Sequence, residues 1–386
     1  MTTYKAPLRD MQFVMQDLLN IEKHYQSLPA CEEVNQDLID AILGEASKFS
    51  EEVVAPLNAV GDEEGCQMLD NGEVKTPAGF KEAYQQYVDA GWPSLDQPAA
   101  YGGQDLPMSI GTTVREMTGT ANWSWAMYPG LSQGAMETID EHGSEEQKAM
   151  FMEPLVSGRW TGTMCLTEAH CGTDLGLLKS KAEQTADGTY RITGSKIFIS
   201  SGEHDLAENI VHIVLARIPD SPPGTKGISL FIVPKFIPND DGSLGDRNAV
   251  TCGVLERKMG IHGNSTCLLN FDGATGYLVG EENKGLSYMF TFMNFARLGT
   301  GLQGLAHSEL AFQNSLAYTR DRLQMRSLSG PKNPGGPAAP IIVHPDVRRM
   351  LLTQKAFAAG GRALISFAST HGDICTKSDD PEAREL

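Results

Sequence analysis

The sequence predicts an α+β protein with an N-terminal helical domain, a central antiparallel β domain and a C-terminal helical segment that is an incomplete helical bundle. Apolar residues recur at helical spacing up to about residue 155, short β-branched and aromatic runs follow from about 160, and the helical period returns after Asn283. No helical pattern separates the central runs, which argues against a parallel βαβ sheet. We therefore expect domains at 1–158, 159–282 and 283–386.

The N-terminal domain shows helix signals of two kinds. Val34, Leu38 and Ile42 follow each other at helical spacing and predict one apolar stripe. Further along, Ser144 precedes Gln147 by three residues, the arrangement of a capping box that closes the first turn of a helix.

The central domain contains the runs TYRITGSKIFIS, NIVHIVLARI, GISLFIVP and TCLLNFDG, each typical of a strand. Asp187 and Gly188 lie just before the first of these runs and predict a hairpin turn. Two long helices are expected after Asn283, the second beginning near Pro345. The Pro/Gly-rich segment RSLSGPKNPGGPAAP between them cannot be regular structure.

Composition and charge exclude several classes of partner. The chain has 386 residues, with 31 basic and 49 acidic side chains and a net charge of -18, so it repels nucleic acid and anionic lipid. Seven scattered cysteines show no metal-ligand spacing and are typical of reduced thiols in a cytoplasmic protein. The cysteine spacing leads us to expect no metal site. No apolar stretch approaches the length of a spanning helix, so we also expect no stable membrane insertion.

A GxGxxG pattern at Gly299, Gly301 and Gly304 invites a dinucleotide-binding interpretation. That motif requires a preceding strand, whereas the residues on both sides of it continue one helical stripe. We therefore interpret these glycines as sites where a second helix approaches closely.

The segment MCLTEAHCGTDLG at 164–176 has a hydroxyl, a glycine and several backbone amides in one short turn, and taken alone it is a polar loop. The same chain carries GSKIFISSG at 194–202, MGIHGNSTCLLNFDG at 259–273 and ARLGTGLQGLA at 296–306, in that order. Together the four segments resemble the acyl-CoA dehydrogenase family over nearly the whole chain. The opening YKAPLRDMQFVMQDLL and the loop 327–340 resemble its longer bacterial-type members.

The resemblance implies oxidation of a saturated acyl-CoA to a trans-2-enoyl-CoA with FAD as cofactor. Electrons would pass to an electron-transfer flavoprotein or a similar acceptor, and the enzyme would be a homodimer or homotetramer. The positions that match FAD-binding residues of the family are Met164, Leu166, Thr167, Gly172, Thr173, Phe198, Ile199, Ser200, Arg322 and His344.

The family also implies roles for these positions. Amides of the loop and the Thr167 hydroxyl would bind the polar edge of the flavin ring, and Phe198-Ile199-Ser200 match a Trp-Ile-Thr segment that covers it. Arg322 matches an arginine that reaches the pyrophosphate of a neighbouring subunit's FAD. The positions that match the acyl-CoA pocket are Thr173, Asn294 and Arg297.

The catalytic base is not found among the matching positions. The family's usual glutamate lies in a Tyr-Glu-Gly motif that this sequence lacks, and an alternative position on the first C-terminal helix is Ala296. Glu168 belongs to the cofactor loop, and nothing in the sequence marks it as a base. We expect a piece of a longer enzyme whose base lies beyond Leu386.

Three other interpretations stay open. The chain could be a flavin-binding homologue without dehydrogenase activity, or a helical interaction protein with a β insert and no cofactor. A nicotinamide enzyme built on the GxGxxG pattern ranks last.

Overall fold

The computed structural model describes residues 4–239, 241–330, 332–333 and 335–384. Contacts group the chain into two compact units. The first unit comprises Met1–Pro56, Leu106–Trp123 and Thr300–Leu386. The second unit comprises Leu57–Asp105 and Ser124–Gly299. The domain limits expected from the sequence stay a prediction.

Helices make up both ends of the chain and surround the strands in sequence. The α-helices are α1 Leu8–Gln12, α2 Ile21–Gln26, α3 Gln36–Phe49, α4 Leu57–Glu64, α5 Phe80–Asp89, α6 Met108–Ala121, α7 Trp123–His142, α8 Glu145–Val156, α9 Gly285–Asp321, α10 Pro345–Lys377 and α11 Pro381–Arg384. The strands are β1 Gln67–Met68, β2 Val74–Lys75, β3 Trp160–Cys165, β4 Lys181–Gln184, β5 Tyr190–Ser200, β6 Asn209–Ala216, β7 Ser229–Pro234, β8 Phe236–Pro238, β9 Leu244–Arg247, β10 Val250–Leu255 and β11 Thr266–Val279. The order of helices, strands and helices confirms the predicted α+β class.

The main sheet lies in the second unit and has the strand order β3-β6-β7-β11-β5-β4, with β10 also paired to β11. Every strand pair in the described residues is antiparallel except β3 and β6, which run parallel with Thr163 beside His212. The prediction of an antiparallel sheet misses this pair. The hairpin of β4 and β5 lies between β3 and β6 in sequence. It provides the connection that lets β6 run in the same direction as β3.

Both faces of this sheet are buried. One face packs with α7, α8 and the first turns of α9 around Trp160, Ile213 and Phe292. The other face contributes Val214 and Phe271 to a second apolar cluster. β6 is buried along its whole length, and its sequence is accordingly mostly apolar rather than alternating, with His212 as a buried polar side chain in its middle.

Two local signals in the sequence are confirmed. The Gln147 amide donates to the Ser144 hydroxyl at 3.3 Å and the Ser144 amide to the Gln147 side chain at 3.1 Å, which is the predicted capping box at the start of α8. Gly188 adopts φ 87° in the turn between β4 and β5, where the Asp187 carboxylate accepts from the Thr189 amide at 3.1 Å.

The stripe predicted for α3 is shifted by one residue. Leu38 is 38% exposed, whereas Ile39 and Leu43 are buried. Val34 is buried too, but it precedes the helix, which begins at Gln36 after the Asn35 cap. Counting the helical period from Val34 therefore placed the wrong face inward.

The GxGxxG glycines lie inside α9, as the helical interpretation predicted. A Cβ atom at Gly301 would lie 2.9 Å from Cδ1 of Ile365 on α10, while Gly299 and Gly304 have open space around them. Close helix packing thus accounts for Gly301 alone. The connection from α9 to α10 is irregular, as expected, and its residues 331 and 334 lie outside the described residues.

A buried arginine joins three helices of the first unit. Arg362 on α10 donates from Nε to Glu116 on α6 at 2.8 Å and from Nη2 to Glu309 on α9 at 3.0 Å. All three side chains are buried, so removal of the arginine would leave two carboxylates without their cation. No helix in the described part of the chain has the length and apolarity to cross a bilayer.

Candidate functional site

The loop that follows β3 makes a tight reverse turn. The amide of Glu168 donates to the carbonyl of Cys171 at 2.8 Å, and the amide of Cys171 donates back to Glu168 at 3.0 Å. Thr167 and Gly172 flank this turn, and a Cβ atom at position 172 would lie 3.2 Å from Cγ2 of Thr167. The glycine therefore lets the two sides of the turn lie directly against each other.

This loop presents hydrogen-bond donors that the protein does not use. Among the described residues, the backbone N–H groups of Thr167, Gly172 and Thr173 have no acceptor in the protein, and neither do the hydroxyls of the two threonines. Thr167 and Gly172 are half-buried and Thr173 is exposed. The loop can therefore offer several donors to the polar edge of one ligand.

A β-bulge in β5 lies beside the loop. Lys196 pairs with Leu269 and Ile199 with Cys267, so two residues, Ile197 and Phe198, stand opposite Leu268 alone. Phe198 adopts φ 58° and is 60% exposed. A left-handed backbone costs a non-glycine residue about 1–2 kcal/mol, and this conformation keeps a large aromatic ring at the surface.

The loop and the bulge are joined directly. The amide of Ile197 donates to the carbonyl of Thr167 at 2.9 Å. The two segments that were predicted to bind the flavin ring from the family resemblance, 164–173 and 198–200, therefore lie next to each other. Met164 and Leu166 are half-buried against the first apolar cluster, Ile199 is buried, and Ser200 is half-buried in the strand pair with Thr266.

Glu168 is an ionised and fully engaged carboxylate. It accepts from Lys196 Nζ at 2.9 Å, from the amides of Lys179 and Ser180 at 2.8 and 3.0 Å, and from the Ser180 hydroxyl at 2.6 Å. Burial raises the pKa of Glu168, but the attraction of Lys196 and these hydrogen bonds outweigh it and lower the pKa to about 2. A carboxylate of this kind is a poor proton acceptor, so Glu168 is unsuited to act as the base.

Glu168, His170 and Cys171 place possible metal-ligand atoms within 4.8 Å of one another. The Lys196 ammonium already neutralises the Glu168 carboxylate, and it would repel a metal cation bound to that carboxylate. His170 Nε2 lies 3.0 Å from the carbonyl of Leu177, to which it donates, and so presents a proton rather than a lone pair. The geometry favours no metal at this cluster.

Asn294 and Arg297 lie one turn apart on the exposed side of α9. Arg297 Nη1 donates to Asn294 Oδ1, and the guanidinium lies 5.4 Å from the centroid of the Phe290 ring. The two positions nominated for the acyl-CoA pocket therefore form one polar pair.

Arg322 and His344 belong to the other unit, at the two ends of the α9–α10 connection. The Ile341 amide donates to the Arg322 carbonyl at 2.9 Å, and His344 Nε2 lies 2.9 Å from the Gln324 carbonyl. The Arg322 guanidinium is exposed and has no ion pair or hydrogen bond among the described residues. The backbone thus brings these two predicted FAD residues to one place within the first unit.

Sequence reasoning missed Lys196. Its ammonium also donates to the carbonyl of Leu166 at 3.2 Å, so it contacts the loop on both sides of Thr167. A signal was present, because Tyr190, Ile192 and Lys196 share the inward parity of β5, and a lysine on a buried strand face needs a partner.

Comparison with known proteins places this geometry in a family. Residues 37–159 match the acyl-CoA dehydrogenase N-terminal domain, and residues 163–274 match the acyl-CoA dehydrogenase middle domain. A short-chain specific acyl-CoA dehydrogenase of Clostridium acetobutylicum is 30% identical over 356 residues, which cover 89% of this chain and 86% of the relative. The chain belongs to the acyl-CoA dehydrogenase family, whose members are FAD-dependent oxidoreductases.

A 3-methylmercaptopropionyl-CoA dehydrogenase of Ruegeria pomeroyi is 47% identical over 362 residues, which cover 94% of this chain and 61% of the relative. Three further dehydrogenases are covered over 62–64% of their length, so the chain spans less than two thirds of these longer relatives. The crystal structure of an acyl-CoA dehydrogenase from Bacillus anthracis in complex with FAD has the same fold, with a TM-score of 0.71 at 22% identity, covering 94% of this chain and 56% of that one.

Proposed function

We propose that this chain is the FAD-binding part of an acyl-CoA dehydrogenase that oxidises a saturated acyl-CoA to a trans-2-enoyl-CoA. Electrons would pass on to an electron-transfer flavoprotein or a similar acceptor. One observation carries the proposal: the uncommitted donors of Thr167, Gly172 and Thr173 lie beside a bulged strand that holds the Phe198 ring at the surface.

These residues fit an isoalloxazine ring. Such a ring is flat and aromatic, and its pyrimidine edge carries nitrogen and oxygen atoms that accept hydrogen bonds. The Phe198 side chain supplies an aromatic wall, and the loop supplies N–H and hydroxyl donors for the edge. When bound, FAD supplies the acceptor for the hydride that leaves the β-carbon of the substrate. The loop donors stabilise negative charge on the polar edge, since they are fixed in place before that charge develops.

The diphosphate of FAD fits a second group of residues, Arg322 and His344. The Arg322 guanidinium has no partner among the residues that the structure describes, and a guanidinium can bind a diphosphate with two parallel hydrogen bonds. We propose that Arg322 and His344 serve the FAD of a neighbouring subunit, so that the enzyme is a homodimer or homotetramer. Between residues 320 and 349, basic side chains exceed acidic ones in an otherwise acidic chain; they are Arg320, Arg322, Arg326, Lys332, Arg348 and Arg349, against Asp321 and Asp346.

The substrate would lie against Thr173 and the pair of Asn294 and Arg297. We propose that a carboxylate other than Glu168 removes the α-proton, because the Lys196 ion pair and the hydrogen bonds to Glu168 make it a weak proton acceptor. The name of the Ruegeria relative and the short-chain specificity of the Clostridium relative support a short acyl thioester as substrate.

We propose that the enzyme is cytoplasmic and does not bind nucleic acid. None of the seven cysteines forms a disulfide in the described part of the chain, which supports a reducing, cytoplasmic location. The net charge of -18 opposes binding of nucleic acid.

Anaerobic mixing of the FAD-loaded full-length protein with a panel of acyl-CoAs tests the proposal. We expect bleaching of the visible flavin absorbance and formation of a trans-2-enoyl-CoA, seen by mass spectrometry, with short acyl chains and 3-methylmercaptopropionyl-CoA in the panel. A yellow protein that no acyl-CoA bleaches would indicate a flavin-binding homologue without dehydrogenase activity. A protein that takes up no FAD would contradict the proposal, and tight binding of NADH instead would favour a nicotinamide enzyme.

A further inference from the structure

Three consecutive loop residues are fixed to two consecutive residues of β5. Lys196 Nζ donates to the carbonyl of Leu166 at 3.2 Å and to Glu168 Oε1 at 2.9 Å. The Ile197 amide donates to the carbonyl of Thr167 at 2.9 Å. Lys196 therefore binds both neighbours of Thr167, and Ile197 binds the Thr167 carbonyl. The amide and hydroxyl of Thr167 form none of these hydrogen bonds.

The far end of the loop is fixed to the same carboxylate. Glu168 accepts from the amide of Lys179 at 2.8 Å and from the amide and hydroxyl of Ser180 at 3.0 and 2.6 Å. The segment 168–180, which contains Gly172 and Thr173, is thus closed at both ends on one side chain. Glu168 is 5% exposed and Lys196 is fully buried, so solvent does not compete for these bonds.

The register of β5 links this arrangement to Phe198. Lys196 is the last residue of β5 with inward parity before the bulge, and Phe198 lies two positions further on, inside it. One side chain pair therefore fixes the donors of the loop and the segment that presents the aromatic ring.

We infer that Lys196 and Glu168 are positioning residues that hold the loop donors and the Phe198 bulge in the arrangement that receives the flavin ring. The inference rests on the proposed function. Neither residue donates to the flavin in this scheme: Lys196 donates to Leu166 and Glu168, and Glu168 only accepts.

A stability measurement would not distinguish a positioning role of Lys196 and Glu168 from a purely structural one, so a matched control is needed. Lys235 in the same unit is also buried, and its ammonium also pairs with a buried glutamate, Glu203, which Arg247 contacts at 3.1 Å as well. In the described residues, the side chains of this second cluster make no hydrogen bond to the segment 164–180. Lys235→Met therefore removes a comparable ion pair without touching the loop.

The first test measures the dissociation constant of FAD for the wild-type full-length protein and for Lys196→Met, Glu168→Gln and Lys235→Met. We expect FAD to bind roughly tenfold more weakly or worse to the first two variants, because a buried charge-assisted contact to the loop is lost. Lys235→Met is expected to bind FAD within about twofold of the wild type, even if it unfolds at a lower temperature.

The second test uses the sign of the change in flavin reduction potential. Removal of a negative charge, as in Glu168→Gln, would by electrostatics alone raise the potential, whereas removal of the Lys196 charge would lower it. A loosened loop stabilises the reduced flavin less in either variant. Positioning therefore predicts a more negative potential in both variants, and a pure charge effect predicts opposite signs.

Ser180→Ala covers the case in which Lys196→Met does not fold. This variant removes the 2.6 Å hydrogen bond to Glu168 and keeps the ion pair, and we expect a smaller loss of FAD affinity with a shift of potential in the same direction. The inference would be overturned if Glu168→Gln and Ser180→Ala had the same FAD affinity and flavin reduction potential as Lys235→Met. The proposed function would remain intact in that case. A wild-type protein that binds no FAD would contradict the proposed function itself, and the inference with it.

Discussion

Gly172 lies directly against Thr167: a Cβ atom at position 172 would lie 3.2 Å from Cγ2 and 3.9 Å from the hydroxyl oxygen of Thr167. Because the added methyl group would push the threonine, Gly172→Ala is expected to misplace its amide and hydroxyl. We predict that FAD affinity falls by about tenfold, or about 1.4 kcal/mol. Fluorescence titration of the apoprotein with FAD measures this change.

Gly130→Ala is the control for an added methyl group in the same unit. Gly130 lies within α7, and a Cβ atom there would meet no atom within 4 Å. This variant is expected to bind FAD like the wild type and to be slightly more stable. Equal FAD affinities for the wild type and Gly172→Ala would show that the Thr167 side of the turn does not contact the cofactor.

Phe198 is predicted to support cofactor binding at some cost to the fold. Replacement by glycine removes the strain at φ 58° and loses little burial, since the ring is 60% exposed. We expect Phe198→Gly to have a free energy of unfolding equal to that of the wild-type apoprotein or higher by about 1 kcal/mol, and to bind FAD more weakly. Urea denaturation and FAD titration measure the two quantities.

Replacement of the neighbouring residue, Ile199, is expected to affect stability strongly. Ile199 is 2% exposed, so Ile199→Ala is expected to lower the free energy of unfolding by about 2–4 kcal/mol. A large loss of stability in Phe198→Gly, comparable to that in Ile199→Ala, would mean that the ring serves the fold rather than a ligand.

Period-2 reasoning fails in β5 at a specific place. Tyr190, Ile192 and Lys196 face inward as alternation requires, and Phe198 would follow them into the core. The bulge opposite Leu268 reverses the parity, so Ile199 is buried and Phe198 is exposed. No glycine marks the left-handed position, so the sequence contains no local signal that Phe198 is the exposed residue.

Local signals were more reliable than the choice of a helix face. The Ser144–Gln147 capping box and the Asp187–Gly188 turn depend on neighbouring residues and were predicted correctly. Leu38 and Ile39 are adjacent apolar residues, and only packing by distant segments decides that Ile39 is the buried one. The partnership of Lys196 with Glu168 has the same origin, since 28 positions separate the two residues in sequence.

Glu168 should make acid unfolding steeper. Its pKa is lowered to about 2 in the folded protein and is ordinary in the unfolded chain, so its ionised form stabilises the fold above about pH 5 and this contribution is lost as pH falls towards 2. The free energy of unfolding of Glu168→Gln is therefore predicted to depend less on pH than that of the wild type between about pH 5 and 3. Parallel pH profiles of the two proteins, from urea denaturation, would contradict an ionised and stabilising Glu168.

The glycines of the GxGxxG pattern should behave as helix residues. Gly299 and Gly304 have open space where a Cβ atom would be added, so alanine at either position is expected to raise the free energy of unfolding by about 0.5–1 kcal/mol without changing FAD affinity. Gly301→Ala should be less stable than either, because its Cβ atom would lie 2.9 Å from Ile365. Loss of nucleotide binding in the Gly299 and Gly304 variants would instead favour a phosphate-binding role.

A crystal structure of the full-length protein with FAD tests the central claim most directly. We predict that the isoalloxazine ring lies against Phe198, with its pyrimidine edge within about 3 Å of the amides of Thr167 and Thr173. A flavin bound elsewhere, or a loop whose donors are taken up by other protein groups in the complex, would contradict the claim.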